Sequence, residues 1–269
     1  MNGKALFPRR EVSLSPITLG RICVPVFLLA LWWICSRIIG DNFILASPGI
    51  SIQEFWQGLR EGWLIRSLGS TLGRVLGSFL LAGLLGTLIG VLLGLSRFWH
   101  DMMEPLVVAG WAAPKSVLYP VYILLLGLGN KSAIVFAATW GVFPLIIMLM
   151  SGIRRIPRVY FKLGRTLGMR PFALFGKVIA PAVSLEFVVG LRYCWCLSFL
   201  GVIVIEMFGS RSGVGRDLLA FQEIGDMKKM LAVVLMVVFV TVSISFAFYR
   251  FESALIRKRG LKEDLAMAG

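Results

Sequence analysis

Three stretches of this chain are as long as a bilayer is thick and carry no formal charge: Val75–Leu95, Ser132–Ile153 and Met230–Tyr249. About 20 predominantly apolar residues take a helix across the hydrocarbon, so each can span. A chain of 269 residues could not hide such runs in a water-soluble core, because much of any folded surface must be polar. The composition agrees: 58% of residues are apolar, 16% are charged, and the mean hydropathy is +0.84. Soluble domains carry roughly a quarter charged residues. Lipid is the solvent this sequence requires, and a soluble enzyme is excluded.

Three further spans are expected. Leu106–Leu128 contains one charge, Lys115. Ile22–Ile39 contains Arg37, close enough to one end to snorkel. Ala182–Phe208 contains Glu186, Arg192 and Glu206, with Tyr193–Ile205 uncharged between the last two. Uninterrupted runs such as Leu231–Val240 argue against the short alternating segments of a β-barrel. Six helices put both termini on one side. Lys and Arg concentrate on that side, in the first 21 residues, in the loop after span four (Arg154, Arg155, Arg158, Lys162, Arg165, Arg170, Lys177) and in the tail. Both termini are therefore expected to be cytoplasmic. The net charge of +14 reads mainly as topology, so nucleic acid is not an expected partner. The first residues lack the pattern of a cleaved signal peptide and read as leading into a retained anchor. Cys23, Cys35, Cys194 and Cys196 fall inside spans and read as packed small hydrophobes.

Catalytic and metal motifs are absent. The sole histidine, His100, stands beside Asp101 in what reads as a short cytoplasmic loop. Gly209-Ser210-Arg211-Ser212-Gly213 faintly resembles a nucleophile turn, but lies on the opposite side from His100. Gly176-Lys177 is followed by Val178, and position 171 is Pro, so no phosphate loop is present. No cofactor is expected in this chain.

Two glycine series, Gly69/Gly73/Gly77 and Gly86/Gly90/Gly94, each lie along one helix face and permit close packing or a moving helix pair. Pro105, Pro114 and Pro120 should bend span three around a cavity. Lys115 near its middle must face protein or water; it reads either as a pathway residue or as half of an ion pair. Arg192 and Glu206 lie nearer the span ends and suit a structural role. From Ile153 to Pro181 the chain reads as two short amphipathic helices joined at Gly168-Met169-Arg170-Pro171, with Gly168 as a C-cap and Pro181 closing the second. Such a surface can touch lipid headgroups or dock a cytoplasmic partner.

This loop resembles the coupling loop of the binding-protein-dependent ABC importer permeases, which carries Glu-Ala-Ala, three residues, Gly, and later Ile-x-Leu-Pro. Here Lys162-Leu163-Gly164 stands in place of Glu-Ala-Ala, Arg165-Thr166-Leu167-Gly168 follows the pattern, and Val178-Ile179-Ala180-Pro181 matches all but the Leu. Ser70-Thr71-Leu72-Gly73-Arg74, Leu126-Gly127-Leu128-Gly129-Asn130-Lys131, Ile205-Glu206-Met207 and Gly213-Val214-Gly215 resemble further segments of the family. The nitrate/sulfonate/taurine/bicarbonate subgroup is the most similar.

The resemblance implies an all-α integral membrane protein: a six-helix bundle like the type I ABC importer permeases, in the bacterial inner membrane. It implies a second permease subunit (identical or different), two cytoplasmic ATPase subunits that bind ATP and Mg, and an extracytoplasmic solute-binding protein. Residues 1–21 would form a cytoplasmic segment, 22–251 the permease domain with its coupling loop at 153–181, and 252–269 a basic tail. The coupling contacts would be Lys162 to Pro171, among them Met169 and Arg170. The pathway candidates are Trp111, Pro114, Lys115, Trp140 and Glu206. Lys115 stands where the family often has a second Pro, and a cation there suits an anionic solute. A secondary transporter or channel without an ATPase is the alternative.

Overall fold

The computed structural model describes residues 16–258. The expected cytoplasmic segment before residue 22 and the end of the basic tail lie largely or partly outside them. Every regular element among the described residues is helical. Four helices are long and apolar enough to cross a membrane: α3 (Trp63–Leu95), α6 (Asn130–Arg155), α10 (Ser184–Gly209) and α12 (Met227–Lys258). The first expected span falls on α1 (Pro16–Ile39), whose described apolar part, Cys23–Ile39, is shorter than these four. α12 continues past residue 251, so the expected boundary between permease and tail falls inside a helix.

α6 is the centre of the bundle, packed along both α3 and α10. Over half of its apolar window is buried (56%), against 17% for α12, whose apolar surface is left for lipid or another chain. Leu64 and Val75 of α3, Ala137 of α6, Val202 of α10 and Val233 of α12 form one core cluster. Ala82, Leu145, Leu149 and Cys194 form a second, nearer the loop at 153–181.

The two glycine series part company in three dimensions. Gly86, Gly90 and Gly94 lie against α6: a Cβ at Gly90 would sit 3.0 Å from Leu149 Cβ and 3.2 Å from the backbone of Ile146. Around Gly69 and Gly73 there is open space. The second series is a packing seam along its whole length; in the first only Gly77 meets α6, where a Cβ would sit 3.0 Å from Ile134 Cδ1.

Span three is broken, not bent. α4 (Arg97–Ala112) and the segment Lys115–Leu126 meet at 78°. That segment is a 3-10 turn (Lys115–Leu118) followed by α5 (Tyr119–Leu126). Pro114 has no N–H to give, and its ring forces the residue before it out of the helical region. Ala113 accordingly is extended, with φ −59° and ψ 138°. His100, expected in a loop, lies in α4 and contacts Asp101.

Two elements were not anticipated. α2 (Pro48–Glu61) packs on α12, and α11 (Val214–Glu223) packs on α10. Both lie at the end of the bundle opposite the 153–181 loop. α2 carries its own boundary signals, Pro48 in the first turn after Ser47 and Gly62 at φ 78° past its end.

The 153–181 loop forms a helical hairpin. α7 (Arg158–Thr166) ends in a Schellman motif: Gly168, at φ 66°, donates its N–H to Arg165, and Met169 donates to Gly164. A second helical stretch runs from α8 (Pro171–Leu174) through a π turn (Phe175–Ile179) to α9 (Ala180–Ala182). It ends at Ala182, one residue past Pro181 and before α10. The wider turn immediately before Pro181 puts the non-donating residue where the hydrogen-bond ladder is already shifted. Gly164 is buried where a Cβ would collide with Leu174 Cδ1, which locks the two arms together.

Candidate functional site

The break in span three opens a cavity of about 250 Å³. Trp111, Pro114, Lys115 and Trp140 line it, with Ala113, Ser116 and Leu197. Four of the five pathway candidates thus come together from two elements far apart in sequence. Lys115 is only 9% exposed. Its Nζ donates to the Trp111 carbonyl at 2.7 Å and lies 5.2 Å from the centre of the Phe143 ring. Among the described residues no carboxylate pairs with it. Trp140 Nε1 is buried and has no hydrogen-bond partner among them. Indole N–H is donor-only and an ammonium has three protons to donate, so the charged and dipolar groups around this cavity are mainly donors.

Glu206 lies elsewhere. It is fully buried and forms the centre of a polar cluster that joins α3, α6, α10 and the start of α11. Arg74 Nη1 donates to Glu206 Oε1 at 2.6 Å, and Thr71 Oγ1 lies 2.8 Å from Oε2. The Gly215 N–H donates to the same carboxylate at 3.0 Å. Arg74 also donates to Asn130 Oδ1 at 2.8 Å and to the Ser212 carbonyl at 2.6 Å, and the Val214 N–H donates to Thr71 Oγ1 at 2.8 Å. A Cβ at Gly213 or Gly215 would strike Glu206. Thr71-Leu72-Gly73-Arg74, Gly129-Asn130, Glu206 and Gly213-Val214-Gly215, four separate sequence motifs, are thereby one structure. Nothing in residue spacing pairs positions 74 and 206. The signal that could have paired them was chemical: an Arg near the start of one span and a Glu near the end of another, which antiparallel crossing puts at the same end of the bundle.

A third intramembrane cation, Arg192, donates to Glu252 at 3.0 Å and ties α10 to α12. His100 stands at the coupling-loop end, while Ser212 is bonded to Arg74 at the other, so a Ser–His pair is not assembled. On the hairpin, Lys162, Leu163, Arg165, Thr166 and Leu167 are exposed, as is Gly168. Phe172, next to Pro171, is 92% exposed. Met169 is half-buried in the turn and Arg170 exposed beside it.

Residues 82–260 match the family of binding-protein-dependent transport system inner membrane components. The chain is 32% identical to the putative aliphatic sulfonates transport permease protein SsuC of Escherichia coli strain K12, over 71% of this chain and 73% of that one. It is 30% identical to the formylaminopyrimidine transport permease protein ThiX of Halalkalibacterium halodurans, over 71% and 76%. The nitrate import permease protein NrtB of Synechococcus elongatus is 26% identical over 77% of each chain. In fold, the chain is similar to an inward-facing structure of the MetNI methionine ABC transporter, with a TM-score of 0.63 over 72% of this chain and 96% of that one, at 21% identity. These matches show that the chain belongs to the binding-protein-dependent transport system inner membrane components, the permeases of ABC importers.

Proposed function

We propose that this permease carries a small anionic solute of the sulfonate, nitrate or bicarbonate kind past Lys115. The observation that carries the reading is the unpaired ammonium at the helix break, in a cavity edged by Trp111, Pro114 and Trp140. A buried cation without a counter-ion is costly, and an anion passing through the cavity relieves that cost. The cargoes for which the relatives are named range from sulfonates to formylaminopyrimidine, so kinship alone leaves the substrate open and the cavity's donor chemistry narrows it.

The chain works as one of two permease subunits, both termini in the cytoplasm of a bacterial cell. Two ATPase subunits dock on the hairpin from Lys162 to Pro171, and a solute-binding protein delivers cargo at the α2/α11 end. The hairpin is stiff because Gly164 meets Leu174 and because the Schellman turn leaves it little freedom. Movement of the ATPases therefore passes to the end of α6, three residues before α7, and along α6 to the cavity at Trp140. This chain supplies the path and the lever; ATP is hydrolysed elsewhere.

The test is uptake by proteoliposomes containing the permease, its ATPase and its binding protein, with labelled taurine and nitrate as anionic probes and riboflavin as an uncharged one. Anion uptake should require ATP, fall at least about 10-fold in Lys115→Gln, where a charge-assisted hydrogen bond is lost, and survive in Lys115→Arg. Uptake without the ATPase, or equal uptake by Lys115→Gln, would overturn the reading.

A further inference from the structure

At the coupling-loop end a second cavity, about 560 Å³, separates α7 from the ends of α3 and α6. Five cations surround it: Arg97, Arg154, Arg158, Lys162 and Arg165. Arg154 is paired with Asp101 at 3.1 Å; the other four have no carboxylate partner among the described residues. From residue 153 to residue 183 the chain contains no Asp or Glu at all. The floor is different in kind: Gly94, Leu95, Ile153 and Ile156, the last apolar residues of two spans and the turn after them. Beside it, Phe98 and Trp99 are 68% and 48% exposed and stack edge to face. Exposed aromatics at a span end mark the headgroup layer.

We propose that this groove binds the phosphate of one anionic phospholipid, the glycerol and first acyl carbons lying on the Leu95/Ile153 floor. A cationic rim above an apolar floor, at headgroup depth and between helices, matches an amphiphile with a charged phosphate. The geometry of α7 separates this ligand from the ATPase. Arg158, Phe161, Lys162 and Arg165 fall on one helix face and line the groove, whereas Val159 and Leu163 fall on another, and the ATPase would grip the hairpin there and along Thr166 to Pro171. The lipid would then brace the hairpin from behind while the partner grips its front. The inference rests on the placement of this end at the membrane surface and not on Lys115 being a substrate contact.

The test is lipid retention by the purified full-length permease, read by native mass spectrometry after exchange into mixed phosphatidylglycerol and phosphatidylcholine. The wild type should retain phosphatidylglycerol selectively. Arg97→Ala/Arg158→Ala/Arg165→Ala should reduce that selectivity at least about 10-fold, since each basic residue near an anionic surface contributes about 1 kcal/mol. Arg155→Ala/Arg170→Ala/Lys177→Ala, which removes as many cations outside the groove, should retain it. Arg97→Ala alone, away from the hairpin, should give a smaller loss in the same direction and guards against a triple variant that misfolds. Equal losses in the two multiple variants, or no loss in either, would overturn the proposal. Displacement by millimolar inorganic phosphate would reassign the groove to a free anion, and displacement one-for-one by the ATPase would reassign it to that partner.

Discussion

Arg74 and Lys115 are both cations inside the membrane part of the chain, and the protein treats them oppositely. Arg74 is enclosed: Glu206, Asn130 and Ser212 accept from it, and glycines at 213 and 215 make room for the carboxylate it needs. Lys115 has one backbone carbonyl and an aromatic ring, beside a cavity. Arg192, paired with Glu252, follows the Arg74 pattern. A charge paired with a carboxylate from another helix holds helices together; a charge left without one is available to a ligand. The difference separates an intramembrane ion enclosed as architecture from one left open to a ligand, which is the basis of the role proposed for Lys115, and sequence position alone does not draw it.

The sharpest way to break this comparison is Glu206→Leu. It strands Arg74 in the interior, and removing one partner of a buried pair costs about 3–5 kcal/mol. The variant should fail to yield monodisperse protein, or should unfold far below the wild type in detergent. Lys115→Ala should show the reverse split, with thermal stability equal to or above the wild type and transport down at least about 10-fold. If Lys115→Ala unfolded early, Lys115 would belong with Arg74 and the distinction would fail.

The glycine series offers a smaller contrast. Gly90→Ala pushes a methyl into Leu149 and the α6 backbone and should cost about 1–3 kcal/mol by overpacking. Gly73→Ala meets open space and should be neutral or stabilising by up to about 1 kcal/mol, through better helix propensity. Both are read as shifts in the thermal midpoint.

The smallest effect concerns Asp217 of α11, outside the spans. Burial raises its carboxyl above the ordinary aspartate value, and the Ser67 hydroxyl bonded to it and the nearby Arg216 offset only part of that rise. A carboxyl raised in the folded state favours the protonated form there. Its stabilising contribution is whole below the unfolded value, about pH 4, and is lost as pH climbs through the folded one. Asp217→Asn should therefore raise the midpoint slightly at neutral pH and leave it unchanged in acid.

Much of the frame was legible before any coordinates. The uncharged runs located α3, α6 and α12, the prolines located the interruption in span three, and Gly168 located the turn of the hairpin, because each is a local rule: solvent matching, a missing N–H, a left-handed backbone position. α2 had local signals too, in Pro48 and Gly62, but its mixed composition hid it between more apolar neighbours. Pro181 marked the end of the hairpin's second arm to within one residue, but carried no signal of the π turn before it.

Long-range pairing was another matter. Read along the chain, the residues already dictate the solvent, the apolar spans, the helical hairpin at 153–181 and the charges that stand within the spans. Folding alone brings Glu206 to Arg74, leaves Lys115 without such a partner among the described residues, and makes one glycine stripe a seam while the other meets α6 only at Gly77. Hydropathy and backbone preferences act within a few residues and can be read along the chain. The cost of a buried charge depends on which groups folding brings within 3 Å of it, and those come from helices far apart in sequence.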